Sequence, residues 1–339
     1  MLGFAAEPRE RCEALHYMKD WPGAGYHRVM FSYRHAFHAG NHADVLKHMV
    51  LLAIIRHLVQ KDTPLAVFDT HAGAGLYRLD GDYAQTSGEA ANGFARLVAP
   101  KSPLAGGDPA DAKTTDAPRF CPVLDDYITL VESFNQKGSF KVYPGSPFII
   151  QRLLRDRDKL KLFELHPTDS KTLSANVAQL EAGRQVAVLR EDGFEGLKKF
   201  LPPPQRRALV LSDPSYELKT DYARVAAMIT DALARFAIGT YAIWYPIIPR
   251  PEAHDLPRKL KTAAMKAGRA WLHATLSVKN SKITTDAMGE HQRPGLPASG
   301  MFVINPPHSL KAGLQLALPQ LVQRLAQDRH AQFSLDSGS

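Results

Sequence analysis

Residues 65–75 read Leu-Ala-Val-Phe-Asp-Thr-His-Ala-Gly-Ala-Gly, an apolar run that passes through an acid into a glycine-rich turn. A short buried strand followed by such a turn is typical of a nucleotide-type site in an α/β fold. The dinucleotide pattern G-x-G-x-x-G is not met, because the third glycine is replaced by Arg78. No Gly-Lys-Ser or Gly-Lys-Thr follows, which argues against a phosphate-binding P-loop.

Three later apolar runs also lead into acids, namely Glu164, Asp192 and Asp213. The carboxyl ends of parallel strands meet at one sheet edge, where open α/β sheets bind ligands. We therefore expect these acids to lie beside Asp69, with Glu164 facing ribose hydroxyls and Asp192 facing an adenine amine. The D-x-x-x-G-x-G form of residues 69–75 resembles the first motif of S-adenosylmethionine-dependent methyltransferases. Taken singly, each acid could equally be a solvated surface residue or a helix cap.

Strand-like and helix-like patterns alternate along the chain, which predicts a doubly wound α/β sheet. The predicted strands are 65–69, 160–164, 185–190, 207–212, 240–246, 270–278 and 299–305. The predicted helices are 44–60, 168–181, 193–200, 221–237, 251–267 and 310–327. No helix separates the last two strands, so they should form an antiparallel hairpin at one edge. Together these features predict a Rossmann-like, seven-strand methyltransferase sheet.

The predicted methyltransferase domain comprises residues 30–77 and 147–327. Residues 78–146 separate the first two strands by more than a βαβ crossover requires, so they are interpreted as an inserted small helical subdomain. Residues 1–29 are interpreted as an irregular amino-terminal extension, with an upstream start codon as the alternative. Residues 328–339 are interpreted as a flexible tail.

The composition favours a polyanionic partner. The chain has 42 Lys and Arg against 34 acids, a formal net charge of +8 and a pI of about 9.4. Only two cysteines are present, which supports neither a disulfide framework nor a cysteine zinc site and favours a reducing compartment, the cytoplasm. No signal peptide or membrane span is expected.

The tetrapeptide Asp213-Pro214-Ser215-Tyr216 suits the methylation of an exocyclic amine. The lone pair of an aryl amine is delocalised into its ring, so a catalyst must localise it. The Asp213 carboxylate and the Pro214 carbonyl could each accept one N–H bond, and Tyr216 could stack on the base. Such a pocket requires a flipped or single-stranded nucleotide. Read alone, the four residues could be a simple turn after a strand.

The segment Tyr33 to His48 is dense in histidine, with His35, His38, His42 and His48. A metal site is the first alternative, but no H-E-x-x-H pattern accompanies these residues, and no metal is expected. Lys47 and His48 fall in the first turns of an apolar helix, where a cation and the positive helix terminus could meet a cofactor carboxylate. The alternative is a solvated Lys47 and a packed, hydrogen-bonded His48.

The chain resembles the RlmJ-type family of bacterial 23S ribosomal RNA adenine-N6 methyltransferases. The resemblance runs from about Met30 to the region after Pro307. It is carried by residues 33–48, 69–75, 143–147, 164–167, 192–193 and 213–216. It implies S-adenosylmethionine as cofactor and direct in-line methyl transfer to adenine N6 in a flipped or single-stranded base, adenine 2030 in the family.

The resemblance also implies roles for individual residues. Cofactor contacts are implied for Lys47, His48, His71, Gly73, Gly75, Ser146, Glu164, Asp192 and Gly193. Asp213 is implied as the catalytic acceptor, and Tyr33, Pro214 and Tyr216 as substrate contacts. The implied partner is 23S rRNA, naked or early in assembly, gripped in part by the insertion, with no obligate protein partner.

The chain departs from the family at Ser215, where the usual motif has a second proline. Asn305-Pro306-Pro307 is a similar tripeptide, but it lacks the aromatic fourth residue and follows the last predicted strand, so it is interpreted as an edge turn. Three other functions stay open. They are DNA adenine-N6 methylation, protein-glutamine methylation, which normally uses Asn where Asp213 stands, and RNA binding without catalysis on a methyltransferase fold.

Overall fold

The computed structural model describes residues 35, 38–79, 89–99, 120–137, 139–281, 284–285, 291–292 and 295–339. They belong to a compact unit that spans residues 34–339. Tyr33 and the expected extension 1–29 lie outside the described residues, as do residues 80–88 and 100–119 of the expected insertion. Within the described part of the chain, no helix is long and apolar enough to cross a membrane.

A central eight-stranded sheet organises the fold, in the order β12-β8-β11-β7-β6-β1-β4-β5. Its strands are β1 (Ala66–Asp69), β4 (Lys159–Phe163), β5 (Val186–Leu189), β6 (Ala208–Ser212), β7 (Thr240–Ile247), β8 (Trp271–Ser277), β11 (Ala298–Ile304) and β12 (Gln332–Gly338). Two short antiparallel pairs join β2 (Leu76–Arg78) to β3 (Val142–Pro144) and β9 (Thr284–Thr285) to β10 (His291–Gln292).

The α/β prediction is confirmed, and all seven predicted strands are present with ends within one residue of the predicted bounds. Strands β5, β4, β1, β6 and β7 run parallel, and β11 pairs antiparallel with both β7 and β8. The central strands β1 and β6 are buried at every position. Parallel strands covered on both faces read as continuous apolar runs, which is why the sequence located them well.

Helices cover both faces of the sheet. They are α1 (His42–Leu58), α2 (Phe94–Val98), α3 (Pro122–Glu132), α4 (Ser146–Leu153), α5 (Pro167–Ala178), α6 (Gly193–Gly196), α7 (Thr220–Arg235), α8 (Pro251–Lys266) and α9 (Leu310–Leu325). Helices α1 and α9 pack in one hydrophobic core, and α7 and α8 pack in the other. Helix α1 starts at Asn41, whose side chain accepts hydrogen bonds from the N–H groups of Ala43 and Asp44.

The expectation of a flexible tail at residues 328–339 is wrong. Gln332–Gly338 form the edge strand β12, which pairs antiparallel with β8 along its whole length. The β8–β11 hairpin leaves the outer edge of β8 open, and a chain end that alternates polar residues with Phe333 and Leu335 can close it. That alternation was the signal that sequence reasoning missed.

The expected insertion, residues 78–146, is not a separate subdomain in its described parts. Strands β2 and β3 pair near its two ends. Phe94, Leu97, Leu124 and Tyr127, from α2 and α3, belong to the same hydrophobic core as α1 and α9. The described helices of the segment therefore extend the main core on one face of the sheet.

Candidate active site

Four acids from four neighbouring strands lie along the carboxyl edge of the parallel sheet. Asp69 ends β1, and Glu164 and Asp213 directly follow β4 and β6. Asp192 follows β5 and begins α6 as its cap. Because the strand order is β6-β1-β4-β5, the four side chains occupy one continuous edge, where such sheets bind ligands.

Asp69 is fully buried and anchors the loop that follows β1. The Ser146 hydroxyl donates to its Oδ2 at 2.6 Å, and the His71 N–H donates to its Oδ1 at 3.3 Å. Burial raises the pKa of Asp69 to about 6, against the stabilising bond from Ser146. Asp69 and Ser146 therefore hold the loop after β1 in place, and the groups that make these bonds are not free for a ligand.

The glycine turn is tied to Glu164. The N–H groups of Gly73 and His166 donate to Glu164 Oε2 and Oε1 at 2.8 and 2.7 Å. Gly73 has a φ of +61°, and a Cβ there would lie 2.4 Å from the Tyr77 hydroxyl oxygen. The carbonyl of Gly75 accepts from the Gly145 N–H at 2.8 Å. Burial raises the pKa of Glu164 to about 7.

Asp192 holds the start of α6 and an arginine that sequence reasoning did not identify. Its Oδ1 accepts from the Phe194 N–H at 2.9 Å, and its Oδ2 pairs with Arg224 at 2.5 Å. The Arg224 guanidinium lies 4.1 Å from the centroid of the Phe194 ring. The His71 ring packs edge-on against the Phe194 ring, with 4.6 Å between their centroids. Burial lowers the pKa of His71 to about 4. His71 is therefore neutral at pH 7.

Asp213 is paired with a buried lysine from α1. Lys47 Nζ contacts Asp213 Oδ2 and lies 2.8 Å from Asp44 Oδ1. The side chain of Lys47 is only 4% exposed, against 12% for Asp213. The ammonium was expected to meet a cofactor carboxylate, but in this arrangement it is enclosed between two protein carboxylates. Asp44, one helical turn before Lys47, was not identified from the sequence.

His48 is fully buried in this arrangement, and its expected cofactor contact stays a prediction. Its Nδ1 is hydrogen-bonded to the Tyr143 hydroxyl at 2.8 Å, and that hydroxyl is bonded to Tyr127 at 2.9 Å. Burial holds the pKa of His48 well below its usual value. These contacts agree with the alternative of a packed, hydrogen-bonded histidine.

Tyr216 is buried rather than presented to a base. The residue is 2% exposed, its ring packs on Tyr222 with 4.6 Å between centroids, and its hydroxyl donates to the Trp244 carbonyl at 2.7 Å. Its φ of +54° is uncommon for a tyrosine and marks a sharp turn after β6. In this arrangement the ring face that was expected to stack on a base is covered. Tyr216 instead fixes residues 213–216 against the core through Tyr222 and Trp244. Pro214 is buried beside it, and Ser215 is exposed.

Trp244 is another residue near Asp213 that sequence reasoning did not single out. It follows Ile243, which is the register partner of Ser212, so Trp244 and Asp213 are neighbours on adjacent strands. Lys47 Nζ lies 5.9 Å from the centroid of its ring. Its buried Nε1 has no hydrogen-bond partner among the described residues.

The histidines before and within α1 have separate partners. His35 Nε2 bonds to Asp44 at 3.0 Å, and His38 Nδ1 bonds to Glu89 at 2.9 Å. His42 Nε2 bonds to the Leu296 carbonyl at 2.9 Å. No cluster of three or more acidic, histidine or cysteine side chains in the described ranges could hold a metal ion. These histidines connect α1 to the loops around it.

Asn305-Pro306-Pro307 lies far from the acids, as its interpretation as an edge turn requires. Asn305 follows the end of β11, which runs antiparallel to β7, so it lies at the amino edge of the parallel strands. Its side-chain amide donates to the carbonyls of Ala237 and Gly239 at 2.8 and 2.7 Å. These bonds tie the turn to the loop before β7.

Comparison with known proteins finds relatives that match most of the chain. Ribosomal RNA large subunit methyltransferase J of Escherichia coli (strain K12) is 40% identical over 296 residues, covering 87% of this chain and 94% of the relative. The protein of the same name from Haemophilus influenzae is 36% identical over 308 residues, covering 91% and 98%.

A crystal structure of a Legionella pneumophila protein superposes with a TM-score of 0.73 at 29% identity, covering 89% of this chain and 99% of that one. The profile of the family described as "Ribosomal RNA large subunit methyltransferase D, RlmJ" matches residues 62–336. On this match and on the two relatives, the chain belongs to the RlmJ family of ribosomal RNA large subunit methyltransferases.

Proposed function

We propose that this protein transfers the methyl group of S-adenosylmethionine to N6 of an adenine in 23S rRNA, with adenine 2030 as the nucleotide. The transfer is direct and in line, onto a flipped or single-stranded base. The observation that carries the proposal is the Asp213 carboxylate beside Pro214, at the end of β6 and on the same edge as the three other acids. The family membership supports the same reaction class.

The residues along β1, β4 and β5 fit the proposed cofactor. Glu164 already accepts two backbone N–H bonds, and each of its oxygens keeps a second acceptor position for a ribose hydroxyl. Asp192 has the same capacity for an adenine amine. Gly73, Gly75 and Gly193 hold the backbone close to this edge, with His71 beside them as a neutral side chain. Ser146 contributes indirectly through Asp69.

When bound, the cofactor supplies a methyl group on a positively charged sulfur, which needs no metal to make it electrophilic. Asp213 accepts one N–H of the amine and the Pro214 carbonyl accepts the other, which localises the nitrogen lone pair. As the N–CH₃ bond forms, positive charge develops on nitrogen and the N–H becomes acidic. Asp213 stabilises that charge and accepts the proton after attack.

The substrate class rests on the relatives and on the charge of the chain. Both relatives are named as enzymes of large-subunit ribosomal RNA, and a net charge of +8 suits a polyanion. We propose naked or early 23S rRNA as the partner and the cytoplasm as the compartment. Tyr33, outside the described residues, stays a predicted substrate contact, as does the insertion.

The deciding experiment supplies the full-length protein and labelled S-adenosylmethionine with unmodified 23S rRNA, duplex DNA containing adenine, or release factor. We expect label in the rRNA alone, at one adenine on mapping, and none with Asp213→Ala. Label in DNA or release factor would assign the protein to one of the rival methyltransferase classes. Calorimetry that detects no cofactor binding would favour a non-catalytic RNA-binding protein.

Cofactor affinity is expected to depend on pH through Glu164. Its pKa of about 7 leaves the free protein partly protonated at neutral pH, and only the carboxylate can accept ribose hydroxyls on both oxygens. The Kd should therefore rise as pH falls below 7, by up to about tenfold per pH unit, and level off above it.

Calorimetry between about pH 5 and pH 9 measures this dependence, with Glu164→Gln as the variant that should lack the step near 7. The stability of the cofactor-free fold responds in the opposite sense. Because the pKa of Glu164 is raised from 4.5 in the fold, the stability that this group contributes is lost as pH rises through about 7. A Kd that falls with decreasing pH would contradict the assignment of Glu164.

Ser215→Pro is expected to leave the reaction intact. Ser215 is exposed, and its N–H donates no hydrogen bond to any described residue. Proline at this position removes an unpaired donor and restricts the unfolded chain. The methylation rate should stay within about threefold, and the free energy of unfolding in urea should rise by about 0.5 kcal/mol. An inactive Ser215→Pro protein would show that the backbone here must move during the reaction.

A further inference from the structure

Asp44 is a buried carboxylate that the proposed chemistry does not use. Its side chain is 2% exposed and lies in the first turn of α1. Oδ2 accepts hydrogen bonds from the Gly40 N–H at 2.9 Å and from His35 Nε2 at 3.0 Å. Oδ1 faces Lys47 Nζ at 2.8 Å. A buried carboxylate with three polar partners is costly to desolvate, which raises the question of what it holds in place.

The partner that matters is Lys47, because its ammonium also contacts Asp213. A lysine side chain has many rotamers, and one carboxylate does not by itself set where the ammonium lies. Asp44 is three residues before Lys47 on the same helix, so it faces the lysine from a rigid position. The Lys47 ammonium therefore contacts both carboxylates at once.

We propose that Asp44 is a positioning residue that holds the Lys47 ammonium against Asp213 and thereby keeps Asp213 ionised and aimed at the substrate amine. The inference rests on the proposed methyl transfer and adds a residue to it. Asp44 reaches neither the substrate nor the cofactor in this role. It acts through Lys47, and Lys47 acts on the oxygen that Asp213 does not offer to the amine.

Two effects of Asp44 on Asp213 have opposite signs, which makes the role testable. Burial raises the pKa of Asp213, and the charges of Lys47 and His35 oppose that rise. The negative charge of Asp44 adds to the rise, and the charge of Asp213 in turn raises the pKa of Asp69. If Asp44 acted only through its own charge, its removal would favour the Asp213 carboxylate. If it acts through Lys47, its removal disfavours that carboxylate.

The variant Asp44→Asn separates these effects. Its amide oxygen can still accept from Gly40, while its NH₂ group cannot accept from the Lys47 ammonium. We expect kcat on 23S rRNA to fall by about tenfold, and the acid limb of the kcat profile to move to higher pH. The Kd for S-adenosylmethionine should change by less than about threefold, because the Lys47 ammonium faces Asp44 and Asp213 in this arrangement.

A double-mutant cycle with Lys47→Met distinguishes positioning from general damage to the fold. If Asp44 acts through Lys47, adding Asp44→Asn to Lys47→Met causes no further loss of kcat, because Lys47→Met has already removed the cation that Asp44 holds. Asp158→Asn is the matched control. Asp158 is also fully buried and bonded to a nearby cation, Arg155, but it lies at the amino edge of β4. Any effect of Asp158→Asn on kcat should multiply with the effect of Asp44→Asn.

Multiplying losses in the Asp44→Asn and Lys47→Met pair would overturn the inference, as would an acid limb that moves to lower pH. An unchanged kcat with a weakened cofactor Kd would also overturn it, by assigning Lys47 to the cofactor. Urea unfolding of each variant shows that the assays compare folded proteins. Failure of the wild-type protein to methylate 23S rRNA would instead refute the proposed function, so the two failures are distinguishable.

Discussion

Asp213→Asn is expected to reduce kcat for methylation of 23S rRNA by roughly 10³-fold, the range of a lost acid–base group in the transition state. The amide has the same shape but no charge, so it neither stabilises the developing ammonium nor accepts its proton. Asp213 also balances Lys47, whose ammonium would then pair with Asp44 alone. The Kd for S-adenosylmethionine, measured by calorimetry, should change little, because Glu164 and Asp192 are untouched.

Asn305→Ala is the control for Asp213→Asn, because Asn305 is followed by prolines in a comparable tripeptide at the other end of the sheet. Loss of its two bonds to backbone carbonyls should lower the free energy of unfolding by about 1–3 kcal/mol. The rate per folded molecule should be unchanged. An active Asp213→Asn protein alongside an inactive Asn305→Ala protein would reverse the assignment of the catalytic corner.

The sheet was predictable because its parallel strands are buried on both faces. Strands such as β1 and β6 must be apolar at every position, and each ends at a polar residue where the chain leaves the core. The shared edge of the four acids followed from the βα alternation, whereas their order along it required the strand order of the folded sheet. Strand β12 was not predicted, because an edge strand needs only alternating apolar residues. Over seven residues this pattern cannot be distinguished from a polar tail.

The contacts of the site were less predictable, because a one-dimensional pattern does not tell which charged groups share a burial site. Lys47 was expected to contact a ligand, yet its ammonium lies between Asp44 and Asp213. Asp213 is 166 positions from Lys47 in the sequence. Tyr216 was expected to face a base, yet a positive φ turns its ring into the core. Neither the partner of a cation nor the sign of a φ angle can be read from residue types.

Arg224 is a residue of the site that the sequence pattern did not indicate. It lies in α7, where its spacing predicts only a polar helix face, and its guanidinium reaches across to Asp192 and the Phe194 ring. The contact depends on α6 and α7 lying side by side at the carboxyl edge. Only the folded arrangement of those helices brings the arginine to the proposed cofactor acid.

Gly193→Ala is expected to weaken cofactor binding strongly. A Cβ at Gly193 would lie 1.9 Å from the Thr70 carbonyl oxygen, a backbone atom that no side-chain rotation can move away. Thr70 is held in turn to β6, since its N–H and hydroxyl both donate to the Leu211 carbonyl at 3.0 and 3.1 Å. Relief of the clash must therefore shift either α6 with Asp192 or the loop after β1.

Both shifts separate groups that the cofactor must contact together, so the Kd should rise by about 100-fold or more, as for other displaced binding groups. The free energy of unfolding should fall by about 1–3 kcal/mol, the usual cost of overpacking. Gly313→Ala is the matched control, because a Cβ there would meet only the Val123 side chain, at 3.0 Å, within helix α9. Calorimetry and urea unfolding of both variants measure the difference. Tight cofactor binding by Gly193→Ala would mean that the α6 start does not form part of the cofactor site.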